Sequence, residues 1–205
     1  MDRRDIDLSW VPEGLNDPFR IQLFLNSIPY DPELECRSPR IVMEERKAHC
    51  FEGALLAAAC LRRLGFPPLL VDLRAVNDDD HVIAVFEKGG RWGAVAKSNF
   101  TTLRFREPVY RTVRELAMSY FDLYFNTKGE KTLRSYSSPF DLSRFDEKDW
   151  MITEEDLEFI GDALDRSRHY PLITGEMAGE LNVVEDDLMQ AGLLGSDPKG
   201  LYRPE

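Results

Sequence analysis

The chain has 205 residues, of which 43% are hydrophobic and 31% are charged, so it is long enough and apolar enough to fold around a buried core. Its net charge of −11 opposes binding to the phosphate backbone of nucleic acids and to anionic membrane surfaces, and we expect neither partner. No stretch approaches the roughly 20 apolar residues that a membrane span requires, and the first residues lack the apolar core of a signal peptide. We therefore expect a soluble, cytoplasmic protein.

The first predicted elements are helices. Apolar residues at helical spacing predict a helix over 17–26, and a proline-marked loop follows it. An alanine-rich run predicts a buried helix from Cys50 to Leu64, because basic residues fill its last turn and Gly65 follows it. Since alanine side chains are small, neighbouring elements can pack closely against this helix.

Predicted strands follow the alanine-rich helix. The run FPPLLVDLRAV contains the first of them, and an acidic turn ends it. The run HVIAVFEKGGRWGAVAKS predicts a hairpin with strands over 81–86 and 91–97, joined by a turn at Gly89-Gly90. A helix followed by mostly antiparallel strands is typical of the α+β class.

The second half of the chain is predicted to be mainly helical. Amphipathic spacing predicts three helices, over 109–126, 154–165 and 176–189. Residues 127–149 lose this periodicity and are predicted to form a linker or surface loop. We expect a main domain over 1–145 and a helical C-terminal annex over 146–205, in which His169 faces solvent.

The three cysteines, Cys36, Cys50 and Cys60, are odd in number and lack the spacing of disulfide frameworks or zinc sites. We expect reduced thiols and neither a metal nor an organic cofactor. Cys60 falls on a different helix face from Cys50 and is predicted to be a core residue. The sequence gives Cys36 no particular role.

Cys50 is the predicted first residue of its helix. The N–H groups and the dipole of a helix N-terminus favour a thiolate, so we expect a lowered thiol pKa and a nucleophile. The alternative is a buried structural thiol. His81 is the candidate base, because it opens a strand directly after the acidic turn 78–80, whose carboxylates would raise the pKa of the imidazole. His49 is a poorer candidate, since adjacent residues at a helix start point about 100° apart.

A third residue would orient the imidazole of the base. The return strand of the hairpin ends at Ser98 and Asn99. The amide oxygen of Asn99 can accept a hydrogen bond from an imidazole N–H and fix its tautomer, and Ser98 can do so more weakly. Both residues therefore stay candidates for this role.

Three segments together resemble the core of the transglutaminase-like superfamily: C-x-x-x-A-L-L-A-A-A-C-L-R-R-L-G-F-P-P-L-L-V, D-H-V-I-A-V-F and G-R-W-G-A-V. The resemblance as a whole covers about residues 20–100. The resemblance implies a papain-like arrangement in which a central helix packs on an antiparallel sheet, with Cys50 as nucleophile and His81 as base. Many members have an Asp-Pro pair shortly after the tryptophan that corresponds to Trp92. This chain has AVAKSN there, so the third member is Asn99, Ser98 or absent.

The expected function is thiol-dependent acyl transfer, or hydrolysis of a peptide-type amide or isopeptide bond, by Cys50, His81 and Asn99. A peptide or protein substrate is the expected partner. An acyltransferase that takes its acyl group from a small thioester donor would use the same residues. The rival class is a catalytically inactive transglutaminase-like fold that acts as a protein-binding module.

Overall fold

A computed structural model of the chain describes residues 6–33 and 35–203. The helices are α1 (Pro18–Ser27), α2 (Pro39–Glu45), α3 (Cys50–Arg63), α4 (Val113–Met118), α5 (Glu158–Asp165), α6 (Gly175–Gly179) and α7 (Asp186–Gly192). The strands are β1 (Leu69–Ala75), β2 (His81–Lys88), β3 (Arg91–Val95), β4 (Arg106–Tyr110), β5 (Leu133–Ser137), β6 (Phe140–Asp141) and β7 (His169–Pro171). Short 3₁₀ helices cover Thr101–Leu103, Phe121–Leu123, Leu142–Lys148 and Pro198–Gly200.

The strands of the described residues form one antiparallel sheet in the order β4-β3-β2-β1-β5-β7, with β6 paired to β1. This arrangement of helices and antiparallel strands confirms the α+β class. The predicted hairpin is also confirmed, as β2 and β3. Its turn residues Gly89 and Gly90 have φ of 59° and 71°, the left-handed values that a tight hairpin turn requires at both positions.

The alanine-rich helix lies where the sequence predicts it, as α3. The side chain of His49 caps its first turn, and Gly65 follows its end with φ of 90°. The residues from Phe51 to Leu61 are all buried. Alternate β2 residues, among them Val82 and Ala84, belong to the same core cluster as α3, while Ile83 and Val85 belong to a second cluster. The sheet thus separates two cores, and α3 fills one of them.

The predicted helix over 109–126 is wrong. Residues up to Tyr110 form the edge strand β4, and the hydroxyl of Thr112 then accepts from the N–H of Glu115 and starts the short helix α4. The hydroxyl of Ser119 bonds back to the Leu116 carbonyl, and a separate 3₁₀ turn follows. Local side-chain bonds therefore divide a segment whose apolar spacing resembles that of one helix.

Residues after 127 also differ from the prediction. The predicted loop contains β5 and β6, and the helices predicted over 154–165 and 176–189 are shorter, as α5, α6 and α7. Strand β7 pairs with β5, and three apolar residues of the predicted annex, Leu157, Ile160 and Leu164, lie in the α3 core. The sheet and the core therefore cross the predicted division at residue 145. Within the described part of the chain, no helix is long and apolar enough to cross a membrane.

Candidate thiol site

Cys50 is the first residue of α3, at one end of the sheet. Its Sγ lies 3.9 Å from the carbonyl oxygen of Asp80, and the nearby N–H groups of Val82 and Phe51 favour its thiolate. The phenol of Tyr30 lies beside the side chain and the backbone of Cys50. The sulfur is therefore held between α3, the start of β2 and the segment that follows α1.

Two neighbours fix the position of Cys50 at the helix start. The Nδ1 atom of His49 accepts from the N–H of Phe51 at 3.3 Å, and its Nε2 lies 2.9 Å from the Glu35 carbonyl oxygen, to which it donates. Glu52 completes a capping box by accepting from the N–H of His49 at 3.2 Å. Both ring nitrogens of His49 are thus occupied in capping, which agrees with its poor standing as a base.

His81 is the first residue of β2 and is buried, with 4% exposure. Its Nε2 lies 2.9 Å from the carbonyl oxygen of Leu103. A carbonyl can only accept, so Nε2 carries the hydrogen, and Nδ1 of the neutral ring keeps a lone pair. This is the tautomer that a base acting through Nδ1 requires.

The expected rise in the pKa of His81 is wrong. The acidic turn 78–80 was expected to raise the pKa of the imidazole, but burial lowers it to about 4, and the charge of Arg106 acts in the same direction. Removal of the ring from water disfavours the imidazolium, and this effect is larger than any attraction from the turn. His81 is therefore neutral near pH 7.

The pKa of the Cys50 thiol also shifts in the direction opposite to the expected lowering. Burial raises the pKa of Cys50 to about 11, and the carboxylates of Asp79 and Asp72 add to the rise, while the N–H groups of Val82 and Phe51 oppose it. The N–H groups near Cys50 do favour its thiolate, but removal of the sulfur from water disfavours the thiolate more strongly. In this conformation Cys50 is a protonated, neutral thiol.

Cys50, His81, Ser98 and Asn99 all line one cavity of about 40 Å³, which has room for little more than a water molecule. The four site residues predicted from the sequence therefore lie around the same cavity. Among the described residues, no hydrogen bond joins the Cys50 thiol to the His81 imidazole.

Asn99 and Ser98 make other contacts. The side-chain amide of Asn99 donates to the Asp197 carbonyl oxygen at 2.8 Å and accepts from the N–H of the same residue at 2.7 Å. The Ser98 hydroxyl accepts from the N–H of Phe100 at 3.0 Å. The group that orients His81 is the backbone carbonyl of Leu103. A backbone group can come from any residue type, so the sequence does not indicate which residue supplies it.

A second, larger cavity of about 440 Å³ lies beside the first. Six residues line both cavities: Tyr30, Cys50, Asp79, Asp80, Gly200 and Tyr202. Sequence reasoning missed Tyr30 and the residues near position 200. The proline-marked loop before Cys50 was the available signal for Tyr30, but nothing local connects residues near 200 to a site 150 residues earlier in the chain.

A buried carboxylate–imidazole pair lies on the same face of the sheet as α3. The carboxylate of Asp72, which is 1% exposed, lies 2.8 Å from Nε2 of His169, and the Nδ1 of His169 donates to the Ser167 carbonyl at 2.9 Å. Burial raises the pKa of Asp72 to about 6, and the Asp80 carboxylate contributes. The prediction that His169 faces solvent is wrong, because its side chain is 10% exposed. Since both its ring nitrogens are occupied, His169 has no lone pair available for the Cys50 thiol.

No protein-family model and no curated protein matches this chain. In the described ranges, no group of three or more His, Cys, Asp or Glu side chains is placed to hold a metal ion. The chemistry that the site supports therefore follows from its own residues, namely one thiol at a helix start and one neutral imidazole beside the same cavity.

Proposed function

We propose that this chain is a transglutaminase-like cysteine enzyme with a papain-like core, which transfers or hydrolyses the acyl group of a peptide-type amide or isopeptide bond. Cys50 is the nucleophile and His81 is the base. The observation that carries the proposal is their common cavity, in which the Leu103 carbonyl holds His81 in the tautomer with a lone pair on Nδ1. The resemblance of the sequence around these two residues supports the same assignment.

The reaction follows from these groups. Nδ1 of His81 takes the thiol proton as the sulfur of Cys50 attacks the amide carbonyl carbon. The protonated His81 then gives that proton to the leaving amine as the carbon–nitrogen bond breaks, which leaves a thioester on Cys50. Water or a second amine, deprotonated by His81, attacks the thioester and restores the thiol.

The negative charge on the carbonyl oxygen needs donors during the attack. The backbone N–H of Cys50 at the start of α3 is one donor, because a helix N-terminus leaves such groups without partners inside the helix. The Tyr30 hydroxyl now lies beside that backbone group. The substrate oxygen therefore replaces Tyr30, or shares its position, when the reaction begins.

The proposal is tested by acylation of the thiols with p-nitrophenyl acetate, with each cysteine followed by peptide mass spectrometry. We expect acetyl transfer to Cys50 to exceed that to Cys36 and Cys60 near pH 7. The variant His81→Gln should slow the reaction at Cys50 on the order of a hundredfold. His169→Gln is the matched control, because His169 does not line the cavity. Equal reaction at all three cysteines, unchanged in His81→Gln, would contradict the proposal.

A non-catalytic protein-binding module is the second candidate. It is favoured by the protonated state of the half-buried Cys50 thiol and by the hydrogen bonds that join Asn99 to Asp197 rather than to His81. On this alternative, the cleft would bind a polypeptide, and the acylation experiment would give no difference between the wild type and His81→Gln.

A further inference from the structure

Residues Asp197–Tyr202, which we call the strap, lie along the same cleft as Cys50. Gly200 and Tyr202 line both the smaller cavity and the larger one, as Cys50 does, and Lys199 and Leu201 line the larger. The two cavities therefore share part of their lining, and the strap contributes to it. Removal of the strap would open the smaller cavity, which Cys50, His81 and Asn99 line, toward the larger one.

Three contacts hold the strap in place. The Asn99 amide makes two hydrogen bonds to the backbone of Asp197, and the hydroxyl of Thr127 donates to the Tyr202 carbonyl oxygen at 3.2 Å. Gly200 packs against the ring of Tyr30 so closely that a Cβ atom there would lie 2.6 Å from the ring. A side chain at position 200 is thus incompatible with the present position of the strap.

The Asn99 contact is a general means of binding a polypeptide. A side-chain amide carries one acceptor and two donors in the arrangement of a peptide group, so it can pair with the N–H and C=O of an extended backbone of any sequence. Selectivity must come from the neighbouring positions. One of them requires glycine against Tyr30, and the lysine before it, Lys199, lines the same cavity as three acidic residues, Glu33, Asp79 and Asp80.

We propose that the strap occupies the cleft as an intramolecular peptide ligand, that bulky reagents and polypeptides reach the half-buried Cys50 only when the strap leaves, and that the cleft selects polypeptides with a lysine followed by a glycine. This inference rests on the proposed function where it concerns regulation and substrate class. Occupation of the cleft can be tested without it, because access to a thiol is measurable whether or not that thiol is catalytic.

The first test measures the rate at which a bulky maleimide labels Cys50. We expect Gly200→Val to raise the rate by about tenfold or more, because the valine side chain cannot lie against Tyr30 and the strap is displaced. Gly179→Val is the matched control, since nothing lies within 4 Å of a Cβ atom at that position. An unchanged rate in Gly200→Val, with faster hydrogen exchange at the amides of residues 199–202, would overturn the inference, because a displaced strap would then leave Cys50 as inaccessible as before.

The second test supplies the strap in trans. A synthetic peptide with the sequence of residues 196–203, SDPKGLYR, should protect Cys50 of the Gly200→Val protein from the maleimide. The same peptide with valine in place of glycine should not. Equal protection by the two peptides, or none by either, would overturn the proposed selectivity. If Gly200→Val does not fold, Thr127→Val replaces it, because it removes only the hydroxyl that holds Tyr202.

The two proposals fail differently. If the maleimide labels Cys50 faster in Gly200→Val but Cys50 still accepts no acetyl group, the strap proposal is supported and the proposed catalytic function is wrong. If the bulky maleimide labels wild-type Cys50 as fast as Cys50 of Gly200→Val, while acetylation of Cys50 depends on His81, the proposed function is supported and the strap proposal is wrong.

Discussion

The carboxylate of Glu52 accepts hydrogen bonds from three nitrogen atoms of Arg37, namely the backbone N at 3.0 Å, Nε at 2.7 Å and Nη2 at 3.0 Å. Glu52 is fully buried and Arg37 nearly so. The same guanidinium also contacts the carboxylates of Asp31 and Glu45. The start of α3, and with it Cys50, is therefore fastened to the segment before it by buried charges.

Removal of one charge from this network should be costly. Glu52→Gln leaves the guanidinium of Arg37 without its main partner in a dry environment, and we expect a loss of unfolding free energy on the order of 3 kcal/mol in urea titrations. Glu44→Gln breaks the exposed ion pair with Arg40 and serves as the control, with an expected change below about 0.5 kcal/mol. Similar losses in the two variants would show that the buried network does not stabilise the fold.

A close approach between α3 and the segment after β3 gives the second prediction. A Cβ atom at Gly53 would lie 2.2 Å from Cβ of Lys97, whose ammonium donates to the carbonyl oxygens of Leu25 and Ile28. Gly53→Ala should therefore destabilise the protein by roughly 1–3 kcal/mol in spite of the better helix propensity of alanine. The measurement is the urea midpoint at constant slope.

Gly161→Ala is the matched control for that variant. A Cβ atom at Gly161 would make only ordinary contact with Phe51, at 3.8 Å, inside helix α5. We expect this change to be neutral or to stabilise the protein by up to about 1 kcal/mol, through helix propensity alone. A loss at Gly161 as large as that at Gly53 would remove the steric explanation.

These cases indicate what the sequence can and cannot predict. Helix α3 and the β2–β3 hairpin have local causes that the sequence shows, namely basic residues in the last turn of the helix, a glycine after it and a Gly-Gly turn. The capping box of His49 and Glu52 was not predicted. Strands β5 and β7 are short and rich in serine and other polar residues, and they are strands only because they pair outward from β1, some 60 and 100 residues away in sequence. Such pairing leaves no periodic signal of its own.

The site divides in the same way. The places of Cys50 at a helix start and of His81 at a strand start could be predicted because both have local signatures, and the two residues line one cavity. The partners of His81 and Asn99 were not found, because each is a backbone group, at Leu103 and Asp197. The pKa directions were missed because they depend on burial, which a single sequence shows only indirectly.

The burial of His81 predicts a pH dependence of stability. Its pKa of about 4 in the folded protein lies below the value of 6.5 for an exposed imidazole, so the unfolded chain binds a proton between these pH values. The contribution of neutral His81 is thus complete above pH 6.5 and is lost as the pH falls toward 4. Between pH 7 and pH 5, the wild type should lose about 2 kcal/mol more than His81→Gln in urea unfolding. Parallel losses in the two proteins would contradict this.

Asp72 predicts the opposite sign. Its pKa is raised to about 6 in the folded protein, above the value of 3.8 for an exposed carboxyl, so the folded protein binds the proton between these values. The wild type therefore loses stability from this group as the pH rises from about 4 to about 6. The unfolding free energy of Asp72→Asn relative to the wild type should be higher near pH 7 than near pH 5. Asp122→Asn, at a side chain that is 78% exposed, should show the same difference at both pH values.

The sheet order has a consequence for the growing chain. Strand β1 pairs with β2 on one edge as soon as residues 69–88 have been made, but its other edge pairs with β5, which comes more than 40 residues later. During synthesis that edge exposes unpaired N–H and C=O groups until residues 133–137 leave the ribosome. The strap, at residues 197–202, is made after every strand of the described sheet. On a ribosome, the thiol cleft is consequently assembled open, and the strap can enter it only after residues 197–202 have emerged.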